Sequence, residues 1–225
     1  MNRDLSAMVM KAVMVGAVGA CLAGAFAGCA SNRPAPMTAP SDEDLRRAMA
    51  IASEGQREFN QKRYDRAIEL YREALTLRPD MGSVYNNLGL ALQARGTDLD
   101  HISAIEAFKR AADILPVDER PYQNLGVLYH ERGFSDEALR YFNMALERNP
   151  NSLESLRGSV GAAKLMLRSD DAGLQRVNRL LLIDTSAEWR KIAEFERLRI
   201  QHDLAESLKS TTTWGAPAGS AGMAQ

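Results

Sequence analysis

A recurrence of about 34 residues constrains this chain more than any other feature of its sequence. It is clearest from Glu119 to Ser152, a stretch of 34 residues. Tyr122, Leu125, Gly126 and Tyr129 fall at i, i+3, i+4 and i+7 and so share one helical face. Gly133 ends that helix, and Ser135 is placed to cap a second one. Ala138, Phe142, Ala145 and Leu146 form the second apolar stripe, which Pro150 closes. The small residues Gly126 and Ala138 let the two helices of this hairpin approach closely. A hairpin of this kind cannot bury both of its apolar faces alone, and copies of it occur upstream. Gly126, Ala138, Phe142, Ala145 and Pro150 align with Gly55, Ala67, Tyr71, Ala74 and Pro79, and with Gly89, Ala104, Phe108, Ala111 and Pro116. The first copy is Ala48 to Met81. The second, Gly82 to Asp118, has three extra residues, expected as an enlarged turn around Gly96-Thr97-Asp98-Leu99-Asp100.

This pattern resembles the tetratricopeptide repeat family. Tyr85-Asn86-Asn87-Leu88-Gly89 and Tyr122-Gln123-Asn124-Leu125-Gly126 carry the likeness, with alanine, aromatic, alanine and proline following in all three copies. Glu54 stands where Leu88 and Leu125 sit, and Lys62 where Gly96 and Gly133 sit. The resemblance implies an all-α fold: a right-handed superhelix of antiparallel helix hairpins whose first helices line a concave groove. Such a solenoid is a binding scaffold with many possible partners.

Outside the repeats, the N-terminus reads as an export signal. Arg3 and Lys11 precede an apolar run from Ala12 to Gly28, so residues 1–28 are expected to be a signal peptide. Two cleavage readings stand. Ala25-Phe26-Ala27 is a small-x-small site, whereas Phe26-Ala27-Gly28-Cys29 resembles the bacterial lipobox, with Phe26 in place of the usual Leu. Lipidation of Cys29 is the favoured reading, because ordinary cleavage leaves an unpaired cysteine in an oxidising compartment. Residues 29–40 would then be the lipidated cysteine and a Pro-rich linker, Ser31 to Pro40. Ala30 after the cysteine favours, by resemblance to lipoprotein sorting, an outer-membrane protein facing the periplasm; a soluble periplasmic protein is the alternative.

Residues 41–209 form the expected repeat domain. Ser41-Asp42-Glu43-Asp44 is a capping-box-like start, and the first helix should run to about Gln61. Leu153 to Ser186 is a degenerate fourth copy: Val160 replaces the packing glycine, Arg176 the aromatic, Arg179 the second alanine and Asp184 the proline. Ala187 to Lys209 reads as a closing helix, with a docking helix as the rival, and residues 210–225 as a disordered tail.

The chemistry-bearing residues point away from catalysis. His101, expected in the enlarged turn, His130 and His202 are far apart and form no metal-ligand spacing. No GxSxG, Walker-type loop or GxGxxG occurs. Gly89 and Gly126 are packing glycines, and Asp136-Glu137 suits a helix dipole. No enzyme activity, cofactor or metal is expected. A formal net charge of -1 without basic runs gives no attraction for nucleic acid.

The groove positions that the family geometry implies are Met49, Ala52, Gln56, Phe59 and Asn60, then Ser83, Asn86, Leu90, Gln93 and Ala94, then Arg120, Gln123, Val127, His130 and Glu131. This surface is rich in amides, which can pair with the backbone of an extended peptide. Phe59, Leu90 and Val127 would receive apolar anchors. A carboxylate clamp for chain termini is not expected: Asn87 and Arg120 suit one, but Ala52 and Asn124 stand where cations are needed. The expected function is non-enzymatic: an adaptor that captures a protein or peptide segment and is held at the membrane by its N-terminal lipid. It resembles pilotins, pilus-assembly lipoproteins and adaptors of cell-wall hydrolases. The alternative is a soluble periplasmic protein that self-associates through its last helix.

Overall fold

The computed structural model describes residues 41–213, with side chains to Ser210. The signal segment, Cys29, the Pro-rich linker and the chain after Thr213 lie outside the described residues. Every regular element described is helical: α1 (Asp42–Asn60), α2 (Tyr64–Leu77), α3 (Gly82–Arg95), α4 (Asp98–Ile114), α5 (Arg120–Glu131), α6 (Ser135–Arg148), α7 (Leu153–Leu165), α8 (Asp171–Ile183) and α9 (Ala187–Thr213). They pair in order as four antiparallel hairpins followed by a single helix. The helix pairs α1–α2, α3–α4, α5–α6 and α7–α8 each pack together, and each second helix packs on the next first helix. The first helices also touch one another from α1 to α9, whereas α2, α4, α6 and α8 do not. The first helices are therefore the inner layer of the stack, as the all-α solenoid reading requires.

Local chemistry sets the element ends. Ser41 forms a full capping box with Asp44, and Asp42, Glu43 and Asp44 sit in the positive first turn of α1. Thr97 and Asp100 repeat this device at α4. The three extra residues of the second copy are thus not an enlarged turn. Arg95 ends α3, Gly96 adopts the left-handed conformation (φ 78°), and α4 begins at Asp98. The insertion adds a helical turn, because its own Thr97 and Asp100 can cap one. His101 accordingly lies on α4.

Ser135 does not cap α6. Phe134 holds that position and makes no side-chain cap bond. The entry is fixed by backbone instead: Gly133 has φ 81°, and the Phe134 N–H donates back to the Tyr129 carbonyl at 2.9 Å. The same turn recurs at Lys62 (φ 61°), with Arg63 donating to Glu58, and at Leu167 (φ 51°), with Arg168 donating to Ala163.

The core follows the recurring positions. Tyr71, Phe108 and Phe142 are buried, and each ring lies against the glycine of its own hairpin. A methyl group on Gly55, Gly89 or Gly126 would come within 2.9, 2.5 and 2.7 Å of the ring atoms. The small residue at Gly126 therefore makes room for Phe142 rather than for Ala138. Phe142 also lies against Gly158 of the next hairpin, more tightly still.

The last helix continues past Lys209 to Thr213, so the first residues of the expected tail are helical. Ala193 and Ile200 of α9 are buried against Leu156, Val160, Val177 and Leu180, with Trp189 and Leu204 packed at the edge. Arg199 fastens α9 to the α7–α8 turn. It donates to Glu196 at 2.8 Å, to the Ser169 hydroxyl at 2.7 Å and to the carbonyls of Leu167 and Arg168.

Candidate functional site

The inner layer brings together the groove positions of α1, α3 and α5, but several of their amides are already engaged. The Gln56 side-chain oxygen accepts from Asn87 at 3.1 Å and from the Tyr71 hydroxyl at 3.4 Å, while its nitrogen donates to Asn60. Burial pushes the Tyr71 phenol up to about 12, so it stays a neutral donor. Asn124 donates to Asn86 at 2.8 Å, and Asn86 is buried. Gln93 donates to Glu131 at 2.8 Å, and Ser152 to Gln123 at 3.3 Å. The bonds Asn87–Gln56, Asn124–Asn86 and Gln93–Glu131 each join one copy to the next, and Ser152, the cap of α7, ties the start of that helix to Gln123 of α5. The amides form a ladder along the inner layer, and buried amides need such partners. Gly158 occupies the place of Asn87 and Asn124 in the fourth copy, so that rung is missing.

Side chains left for a partner are of mixed apolar and polar character. Met49 and Ser83 are exposed, and Phe59, Leu90 and Val127 are half-buried with one side in the core. Ala52 and His130 are half-buried, and Ala94 is exposed. The His130 Nδ1 has no hydrogen-bond partner among the described residues. Arg120 is exposed and pairs with Asp118 at 2.5 Å; that bond raises the guanidinium pKa and lowers the Asp118 carboxyl. The inner face therefore offers apolar spots flanked by hydrogen-bonding groups.

Sequence reasoning missed the ionic pins of the fourth hairpin. Asp184, at the proline position, is 1% exposed and receives both arms of Arg157 at 2.7 and 2.8 Å. It also accepts from the Ser186 N–H, and Arg157 foremost holds its carboxyl below the usual range. The signal available was the aspartate itself: a polar residue at a core position needs a partner. Among the described residues, no group of three or more His, Cys, Asp or Glu could hold a metal ion. No described helix is long and apolar enough to cross a membrane.

The fold of the described residues is that of tetratricopeptide-repeat solenoids. Residues 55–96 match the family model described as TPR repeat, and residues 119–152 match that described as tetratricopeptide repeat, with the bounds of the third copy. The small glutamine-rich tetratricopeptide repeat-containing protein 2 of Mycosarcoma maydis is 33% identical over 133 residues, covering 59% of this chain and 37% of that protein. The chain thus spans little more than a third of that relative. Among solved structures, MamA shares the fold with a TM-score of 0.52 at 17% identity, over 74% of this chain and 84% of its own. The first TPR of Spaghetti (RPAP3), bound to HSP90 peptide SRMEEVD, gives a TM-score of 0.51 at 19% identity, over 54% of this chain and 94% of its own. These likenesses establish the fold.

Proposed function

We propose that this protein is a non-enzymatic adaptor. It captures an extended protein segment along the inner face of α1, α3 and α5, and lipid on Cys29 holds it at the periplasmic side of a bacterial outer membrane. The observation that carries the reading is the pattern of that face: Phe59, Leu90 and Val127 half-buried between hydrogen-bonding side chains. An extended peptide has the complementary pattern of alternating side chains and free backbone groups. The first TPR of Spaghetti (RPAP3), solved bound to an HSP90 peptide, supports this reading. Assembly of a pilus, a secretion pore or a cell-wall complex is the setting in which a tethered adaptor of this build acts.

The engaged amides decide which residues to test. Asn86 is buried and bonded, so its substitution would confuse folding with binding. A variant with Met49→Asp, Ser83→Glu and Ala94→Arg alters exposed positions only. In-cell cross-linking should capture a prey with the wild type that this variant loses at unchanged melting temperature. A prey retained by both would place binding off the inner face. Palmitate labelling tests the anchor: it should appear in the wild type and vanish in Cys29→Ser.

A second reading has its own observation. Phe195 and Leu198 on the outer side of α9 are 63% and 62% exposed. A soluble periplasmic protein that self-associates through α9 would be dimeric by sedimentation and monomeric after Phe195→Glu.

A further inference from the structure

The second helices α6 and α8 stand apart, and between them lies a cavity of about 900 Å³, within the size range of small-molecule sites. Leu156 of α7 also lines it, beside Leu146, Leu182 and Ile183, with Arg176 and Arg179 from α8. The fourth hairpin also departs from the others at its packing positions. Three hairpins pack a glycine against an aromatic ring; the fourth has Val160 and Arg176 at those places. The side chain that replaces the ring is a cation.

Arg176 is poorly satisfied where it lies. Its side chain is 11% exposed, and neither Nε nor Nη2 has a hydrogen-bond partner. The carboxylate facing it, Asp170, is 3.7 Å from Nη2 and already accepts from the Gly173 N–H and from Arg168, both at 2.6 Å. A space of about 10 Å³ on the side of α9 has room for one water at most, and Lys164, Arg168 and Arg199 line it with Glu196. A water can accept a hydrogen bond there but cannot balance the charge. A buried, partly paired guanidinium is costly, and methionine would fill the position without that cost. Arg179 adds a second guanidinium, held by Asn151 at 3.0 Å. The acid on the rim, Glu147, is 3.8 Å from Arg148.

We propose that this cavity binds a small amphiphile with one carboxylate and an alkyl chain, of the free fatty-acid class. The carboxylate meets Arg176 and Arg179, and the chain lies along Leu146, Leu156, Leu182 and Ile183. Nε and Nη2 of Arg176 lie toward Asp170 and Gly173, so binding includes a turn of the guanidinium about its last torsions, after which its planar fork matches the carboxylate. The site is built from α6, α7 and α8, so it is independent of the inner face.

Calorimetric titration of the folded protein with decanoate, below its micelle concentration, tests this. Decanoate should bind, and decylammonium should not. Arg176→Met should keep or raise the melting temperature and weaken decanoate about 10–100-fold, the loss of a charge-assisted pair. Leu182→Glu, at a position 84% exposed and therefore harmless to folding, should weaken it as well. Arg46→Gln, remote on α1, should leave it unchanged. The proposal is overturned if decanoate gives no saturable heat, if decylammonium binds as well, or if both cavity variants bind like wild type. It is also overturned if a short peptide ending in leucine binds and decanoate does not.

Discussion

Phe142 shows how much a missing side chain can specify. Its ring is held between Gly126 of its own hairpin and Gly158 of the next, so it has no direction in which to yield. Gly126→Ala should therefore destabilise the protein by about 1–3 kcal/mol despite its better helix propensity. Gly161→Ala, whose added carbon would meet nothing nearer than His130 at 4.0 Å, should leave the melting temperature unchanged or raise it. Equal effects in thermal melts would refute the sandwich. Asp184 makes a different prediction. Its folded pKa lies below the ordinary 3.8, so the pair with Arg157 contributes fully above that value. The contribution is lost as pH falls through the folded value. Urea melts between pH 6 and 2 should show the wild type losing stability more steeply than Asp184→Asn, which starts lower. Gly126 was legible because it recurs in phase. Gly158 was not, because it sits two residues before the expected place, and only the ring of the previous hairpin explains it.

Among the elements, the turns inside the hairpins carry the clearest strain. The same left-handed position is filled by Gly133, by Lys62 and by Leu167. A side chain there meets the following carbonyl, at a cost of about 1–2 kcal/mol. Lys62→Gly should recover about 1 kcal/mol, read as a rise in melting temperature, because Lys62 is exposed and has no other role among the described contacts. Helix existence, order and pairing were legible from period and punctuation alone. The middle insertion was misread, because its length fits either a longer loop or a longer helix. Thr97 and Asp100 decide between them, since a threonine three residues before an aspartate is itself a helix start. Ser135 misled for the opposite reason: a good capping residue stood one place inside a helix whose entry the backbone had already fixed.

At the scale of the whole stack, stability is a sum over neighbours, and the two ends differ. The first end is a self-capped helix, whereas the last depends on α9 to cover Val177 and Leu180. A chain ending at Ser186 should melt in two steps by circular dichroism, with α7 and α8 lost first and the first three hairpins near their wild-type transition. A single cooperative melt would show that coupling runs the full length. The candidate groove was legible as a set of positions, but not in its bonding. Whether Gln56 or Asn86 faces solvent or a neighbouring copy depends on contacts between copies, which a single repeat does not display.

The seat of Trp189 gives the molecule an optical reporter. Its indole is half-buried at the edge of α9, with the Arg157 guanidinium 5.5 Å from the ring. The aromatic residues of the first three hairpins are tyrosines and phenylalanines, which 295 nm light excites weakly. With Trp214 replaced by phenylalanine, emission would come from one fluorophore at the joint between the closing helix and the stack. Its colour and quenching would then follow the opening of that joint in real time, separately from the loss of helix elsewhere.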